Sequence, residues 1–219
     1  MKLTIKTIAA VAVLAAFSHS ARAVSYTGSI SVGGDLILGG GWSNITSGSL
    51  SWTINNTANP SVWNYSYTFN LAGSPDISHA ILEVTAGALL SDFGITGGAD
   101  NEVATYSSAN PSNPGMPGEL YGLNVNTPDN SSEPFIFSLI TTRAPVWHDF
   151  YAKGGNDSFA YNSGFLAADP VSGPTDGALS GHILSPNGSS TSVPDGGSSV
   201  ALLGLALAGL AVARRKLTA

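Results

Sequence analysis

Apolar and polar residues alternate along much of the chain between residues 24 and 185. The clearest stretch lies between Ser61 and Leu71, where every second residue is large and apolar: Trp63, Tyr65, Tyr67, Phe69 and Leu71. A period of two places successive side chains on opposite faces of an extended chain. This stretch therefore predicts a half-buried β-strand.

Shorter stretches with the same period predict further strands. They are Tyr26–Val32, Leu50–Ile54, His79–Ala86, Leu120–Asn126, Phe135–Thr142 and Val146–Ala152. Turn-forming Gly, Pro, Asn and Asp separate them at Gly39–Gly41, Gly97–Asp100, Asn110–Gly118 and Thr127–Pro134. About seven to nine short strands, with no sustained helical period and no internal repeat, predict an all-β fold. We expect an antiparallel β-sandwich of jelly-roll or immunoglobulin-like type.

The first 23 residues have a different pattern, which is typical of a cleaved signal peptide. Lys2 and Lys6 precede a ten-residue apolar run, Ile8–Phe17, and Ala21 and Ala23 form a small-x-small cleavage pattern. Ten apolar residues are too few to span a bilayer as a helix. We expect export through the Sec machinery and cleavage after Ala23.

The C-terminal end combines a spacer, a motif, an apolar run and a basic cluster. Residues 186–192 are rich in Ser, Gly and Pro, 193–197 read VPDGG, and 198–213 are apolar and uncharged. Sixteen helical residues reach only about 24 Å, short of a ~30 Å hydrocarbon core. The segment is nevertheless apolar on every face and ends at a basic cluster, residues 214–216, that would stay cytoplasmic. We therefore predict one transmembrane helix at 198–213, with residues 24–185 as an ectodomain outside the cytoplasm.

This tail resembles a known class of sorting signal. The residues that carry the resemblance are Val193, Pro194, Asp195, Gly196 and Gly197, followed by the apolar run and then Arg214, Arg215 and Lys216. It is similar to the PEP-CTERM sorting tail, in particular the Val-Pro-Asp-Ser-Gly variant, with Gly196 in place of the serine. The resemblance implies recognition by an exosortase and a host that makes exopolysaccharide. An ordinary tail anchor is the alternative.

Composition limits what the ectodomain binds. Residues 24–193 hold thirteen Asp or Glu and two Lys or Arg, a formal charge of −11. Such a surface repels phosphate backbones, which argues against a nucleic-acid partner. The chain has no cysteine, which excludes disulfides, thiol nucleophiles, zinc–thiolate sites and iron–sulfur clusters. A domain of this size without disulfides has to rest on its hydrophobic core.

Candidate metal ligands are few. The histidines of the mature chain, His79, His148 and His182, lie in separate segments, and we expect them to be structural. His148 and Asp149 are adjacent, but neighbours in a strand point to opposite faces and are poorly placed to share a metal. Residues 124–130 and 154–157 offer oxygen ligands, although neither fits a calcium-loop pattern and both are ordinary turn sequences. We predict no metal site and no cofactor.

Aromatic residues and carboxylates provide two further hypotheses. The four tryptophans could either stack on the rings of a bound sugar or pack in the hydrophobic core. They are Trp42, Trp52, Trp63 and Trp147. Glu83, Glu102, Glu119 and Glu133 are available to a glycosidase, but spacing does not pair them. No nucleophile elbow, phosphate loop or zinc-protease motif is present in the sequence. We therefore expect no catalytic residues and no enzyme.

These patterns together predict an exported surface protein that is sorted by an exosortase-type system. Its expected place is the inner membrane, with the ectodomain outside the cytoplasm, or the cell surface and extracellular matrix after tail processing. We expect a structural or adhesive role in the envelope or the exopolysaccharide matrix. A carbohydrate-binding module that recognises the matrix polysaccharide is the alternative, and a secreted β-sandwich hydrolase is a third hypothesis.

Overall fold

The computed structural model describes residues 23–73, 77–109, 112–128 and 134–186. The chain divides into two units, Met1–Ser189 and Ser190–Ala219, and the described residues all belong to the first. Residues 1–22 of the predicted signal peptide and the whole predicted sorting tail, 193–219, lie outside the described residues. Within the described ranges, no helix is long and apolar enough to cross a membrane.

The described part of the chain folds into thirteen strands and two short 3-10 helices, and the fold is all-β as predicted. The strands are β1 (Ser25–Ser31), β2 (Leu36–Gly39), β3 (Gly48–Asn55), β4 (Trp63–Leu71), β5 (Ile77–Glu83), β6 (Gly94–Thr96), β7 (Ala99–Tyr106), β8 (Leu120–Asn126), β9 (Phe135–Thr141), β10 (Pro145–His148), β11 (Phe150–Gly154), β12 (Phe159–Asn162) and β13 (Ile183–Pro186). The 3-10 helices span Gly40–Trp42 and Leu90–Asp92.

The strands form three antiparallel sheets. A five-stranded sheet has the order β1-β3-β4-β9-β6, a six-stranded sheet has the order β2-β12-β11-β5-β8-β7, and β10 pairs with β13 alone. The predicted strand Val146–Ala152 is in fact two strands, because the chain leaves the ladder at Asp149 and pairs with β13 before it and with β5 after it. This arrangement is consistent with a β-sandwich.

A core of large side chains joins the two main sheets. Phe69 of β4 contacts Phe150 of β11 edge-on at 5.5 Å between ring centroids, and Trp42 at 5.9 Å. The buried Tyr67 hydroxyl donates a hydrogen bond of 2.8 Å to the carbonyl oxygen of Leu184 in β13. Each buried aromatic ring removes roughly 150–250 Å² from water, so these residues supply much of the stability that disulfides would otherwise give.

The central strands of the six-stranded sheet, β5 and β11, are buried on both faces. The outer face of this sheet is covered by a second apolar cluster: Ile81, Tyr106, Met116, Leu120, Tyr151 and Phe165. For this reason β5 and β11 show runs of consecutive buried residues rather than alternation. The five-stranded sheet has only one buried face, and its strands β3, β4 and β9 alternate as the sequence predicted.

Candidate functional site

The outer face of the five-stranded sheet is polar and uncharged. Its outward side chains come from β1, β3, β4, β9 and β6, and we call them the neutral face: Ser25, Thr27, Ser29, Ser31, Ser49, Ser51, Thr53, Asn55, Asn64, Ser66, Thr68, Asn70, Thr96 and Ser138, with Ile136 and Ile140. None of these residues is charged, although the ectodomain carries thirteen acidic residues. Among the described acidic residues, Asp176 lies at the edge of this face, where its Oδ1 atom accepts a hydrogen bond of 2.8 Å from the Thr27 amide.

A shallow cavity of about 210 Å³ opens on the neutral face. Six of its nine lining residues are Ser, Thr or Asn, including Thr53, Asn64 and Ser138, although most of the exposed lining surface is apolar. Ile140 also lines it and is 53% exposed. Hydroxyl and amide groups both donate and accept hydrogen bonds, so the cavity suits a neutral, hydroxylated ligand better than an ion.

The tryptophans proposed for sugar stacking lie mostly in the core. Trp42, Trp52 and Trp147 are at most 3% exposed, so their rings present no face to a ligand. Trp63 is half-buried and stacks on Tyr26 at 6.2 Å between ring centroids. It belongs to the inward-facing series of β4, and the neutral face carries no aromatic ring. Any sugar recognition on that face has to rest on hydrogen bonds.

The turn-like segments considered for calcium have ordinary structural roles where they are described. Asn124 and Asn126 lie within β8 rather than in a loop, and residues 129 and 130 are outside the described ranges. Asn156 and Asp157 both have φ of 54° and form the tight turn between β11 and β12. The described carboxylates Glu102 and Glu119 lie on β7 and just before β8, whereas Glu133 is not described.

Three polar residues from distant segments converge at the end of the six-stranded sheet where β11 begins. Asp149 separates β10 from β11, Asp169 lies in the loop after β12, and His182 directly precedes β13. Their ligand-type atoms all lie within 4.8 Å of one another. We call these three residues the histidine–aspartate cluster. Sequence reasoning missed it because no spacing motif links the three positions.

The geometry of the cluster is well supported by its neighbours. The Nε2 atom of His182 lies 3.7 Å from Asp149 Oδ1 and 3.7 Å from Asp169 Oδ1. Asn162, at the end of β12, donates a hydrogen bond of 2.7 Å to Asp149 Oδ1. His148 approaches from β10, with its Nε2 atom 3.8 Å from Asp169 Oδ2. The His182 side chain is fully buried, whereas that of Asp169 is 38% exposed, so the cluster opens to solvent at Asp169.

Burial raises the pKa of three acidic groups at this cluster. It raises the pKa of Glu83, at the end of β5, to about 7, and the charges of Asp169 and Asp149 add to this. It likewise raises the pKa of Asp169 to about 6, with a contribution from Asp149. The pKa of Asp149 is also raised by burial, against the opposing effects of Asn162 and His182. Three carboxyl groups thus crowd a site whose negative charge is poorly compensated.

Comparison with known proteins is informative for the tail alone. A model of the VPDSG-CTERM motif matches residues 192–217. No curated protein and no solved structure matches the chain. The match covers the five-residue motif, the apolar run and the basic cluster that the sequence analysis singled out, and such a tail implies processing by an exosortase-like system. The chain therefore carries a C-terminal sorting tail of the VPDSG-CTERM type, a variant of the PEP-CTERM tail.

Proposed function

We propose that this chain is a non-catalytic surface protein that an exosortase-type system sorts to the cell envelope or the exopolysaccharide matrix. There it serves as a structural or adhesive component. The observation that carries this proposal is the VPDSG-CTERM tail at residues 192–217. Export delivers the ectodomain outside the inner membrane, and tail processing then decides whether it stays anchored by residues 198–213 or is released.

The ectodomain has properties that suit such a role. It is a β-sandwich, of jelly-roll or immunoglobulin-like type in our proposal, and its stability depends on packing rather than on disulfides. No acidic residue belongs to the neutral face itself, although Asp176 borders it at Thr27, so most of this face can approach a partner without repulsion while the formal charge of −11 favours solubility. This separation of charge supports an adhesive surface.

Substitution of the motif proline tests the sorting proposal. The change Pro194→Ala is expected to block tail processing, because it removes the rigid residue on which recognition of the motif depends. Intact-mass spectrometry of protein from the native envelope and medium measures the outcome. We expect the wild type to lose the residues after about 194 and the variant to keep them. The control Thr191→Ala, just outside the matched residues, should be processed like the wild type.

Two outcomes would contradict this prediction. A wild-type mass that runs to Ala219 would show that the tail is a simple anchor, and normal processing of Pro194→Ala would show that the proline is dispensable.

A second candidate function, carbohydrate binding, is favoured by the neutral face. Its cavity of about 210 Å³ is lined by hydroxyl and amide groups and by the exposed Ile140. Neutral polysaccharides present hydroxyl groups that pair with such side chains and apolar ring faces that pack on an aliphatic residue. An uncharged polymer would also experience no electrostatic repulsion from the acidic surfaces elsewhere on the ectodomain.

A charge placed in the cavity should weaken such binding. Thr53→Glu is expected to lower the affinity for a neutral polysaccharide, for which dextran is a suitable probe, at least about tenfold, because the bound polymer would displace water from the carboxylate without offering a counter-charge. Affinity electrophoresis in dextran gels measures the change. Thr105→Glu, at an exposed threonine of β7 in the other main sheet, is the matched control and should leave binding unchanged. Equal mobility of both variants and the wild type would contradict this candidate function.

A further inference from the structure

We propose that Asp149, Asp169 and His182 bind a divalent cation of the Zn²⁺ class. The three residues bring two carboxylate oxygens and one imidazole nitrogen within 4.8 Å of one another. Nothing in the sorting tail or the neutral face requires this arrangement.

The orientation of His182 is the first argument. Its Nδ1 atom lies 3.3 Å from the carbonyl oxygen of Leu179. A carbonyl oxygen only accepts hydrogen bonds, so Nδ1 carries a proton, and in the matching tautomer Nε2 carries the lone pair. Nε2 is fully buried, has no hydrogen-bond partner and points at two carboxylate oxygens. A cation between them would turn this unfavourable contact into three bonds.

The backbone holds the His182 ring in place. Ser180 and Gly181 have φ of 51° and 75° and form a tight turn, whose ends are joined by the hydrogen bond from the His182 amide to the Leu179 carbonyl. A left-handed conformation is costly for a serine. Gly164 packs so closely that a Cβ atom there would lie 2.6 Å from the ring. A ring fixed in this way is pre-organised for a ligand rather than free to turn toward water.

The distances favour a cation over a shared proton. A protonated Nε2 would approach a carboxylate to about 2.8 Å, whereas it stays 3.7 Å from both oxygens. Two atoms bound to one tetrahedral ion at about 2.1 Å are separated by about 3.4 Å. The two spacings from Nε2 are therefore within a few tenths of an ångström of that expected for two ligands of one ion.

Neighbouring residues orient Asp149 and His148 by hydrogen bonds, as commonly happens to the ligands of bound metal ions. Asn162 fixes Asp149 by its hydrogen bond to Oδ1. The Ser185 hydroxyl donates to the carbonyl oxygen of Glu83, so it accepts from Nδ1 of His148 at 2.8 Å. His148 then presents the lone pair of Nε2 toward Asp169 and is the candidate for a fourth ligand, with water as the other.

Charge and ligand type identify the ion. A divalent cation balances the two carboxylates, whereas neither of the two basic side chains among the described residues lies at the cluster. Arg143 is paired with Asp92, and Lys153 lies four residues along β11 from Asp149, about 13 Å away. Ca²⁺ and Mg²⁺ prefer oxygen ligands alone. A mixed nitrogen and oxygen set suits Zn²⁺, which binds imidazole nitrogen and carboxylate oxygen at four positions.

Metal titration of the full chain tests this proposal. The protein is purified in detergent without a polyhistidine tag, stripped with chelator and titrated with Zn²⁺ by calorimetry. We expect one ion per chain and a rise in Tm of about 5 to 10 °C at a hundredfold excess over Kd. Asp169→Asn keeps the shape of a partly exposed side chain and should weaken binding at least about tenfold. Asp157→Asn removes the same charge from the turn between β11 and β12 and should bind like the wild type.

Three results would overturn the assignment. They are the absence of saturable Zn²⁺ binding, equal affinity in the two variants, and stabilisation by Ca²⁺ but not by Zn²⁺. If Asp169→Asn does not fold, as judged by circular dichroism, X-ray absorption of the Zn²⁺-loaded wild type decides. A coordination shell of oxygen and nitrogen with imidazole scattering is expected, and a shell without imidazole would contradict the proposal.

Discussion

The substitution Phe69→Ala is expected to lower the free energy of unfolding by about 3 to 5 kcal/mol. Phe69 is fully buried and lies between Trp42 and Phe150, so its removal opens a cavity between the two main sheets. Domains of ordinary stability unfold with about 5 to 15 kcal/mol, so the loss would be a large fraction of the total. Urea denaturation should show a lower midpoint with an unchanged slope.

The control for this prediction lies on the same sheet. Ile136 of β9 is 52% exposed on the neutral face, and Ile136→Ala should cost less than about 1 kcal/mol. If the two substitutions shifted the midpoint equally, the assignment of inner and outer faces to the five-stranded sheet would be wrong.

The second large effect is expected from pH. Burial lowers the pKa of His79 from 6.5 to about 4, and Lys153 adds to this against the hydrogen bond with Asn113. Between these values the unfolded chain binds a proton that the folded chain does not. The stabilising contribution of neutral His79 is therefore complete above pH 6.5 and is lost as the pH falls toward 4. The full shift corresponds to about 3 kcal/mol.

A comparison with His79→Gln isolates this contribution. Glu83, Asp149 and Asp169 have raised pKa values and act with the opposite sign, but they are shared by both proteins and cancel in the difference. The free energy of unfolding of the wild type, minus that of the variant, should fall by about 3 kcal/mol between pH 7 and 4. Parallel stability curves would show that His79 is not held neutral.

The structure reproduces predicted strands in both main sheets. The alternation from Trp63 to Leu71 became β4 because that strand is covered on one side only, and Leu120–Asn126 became β8 with the same bounds. The strands β2, β12 and β13 were not predicted, since each has only four residues and β13 is buried throughout. The mostly polar edge strand β7 was missed because its few apolar residues do not alternate over its whole length.

Of the two candidate sites, one could be predicted from the sequence and the other could not. The neutral face follows from the alternation itself, since the residues between the apolar positions of β3 and β4 are Ser, Thr and Asn. The histidine–aspartate cluster depends on how three segments meet, and the sequence contains no signal for that. The prediction of structural histidines treated His148 and Asp149 as neighbours in one strand, whereas the chain leaves the strand at Asp149 and brings its carboxylate to His182.

The position of β13 has a mechanical consequence. Its four residues are all buried, it is held by the hydrogen bond from Tyr67 to Leu184 and by that from Ser185 to Glu83, and it ends at Pro186, six residues before the matched tail begins. A pull on a tethered tail would therefore enter the domain through β13 and load these two bonds together with the pairing of β13 to β10. To yield, the domain would have to withdraw Ile183 and Leu184 from its interior, so its anchoring strand is also its most protected one.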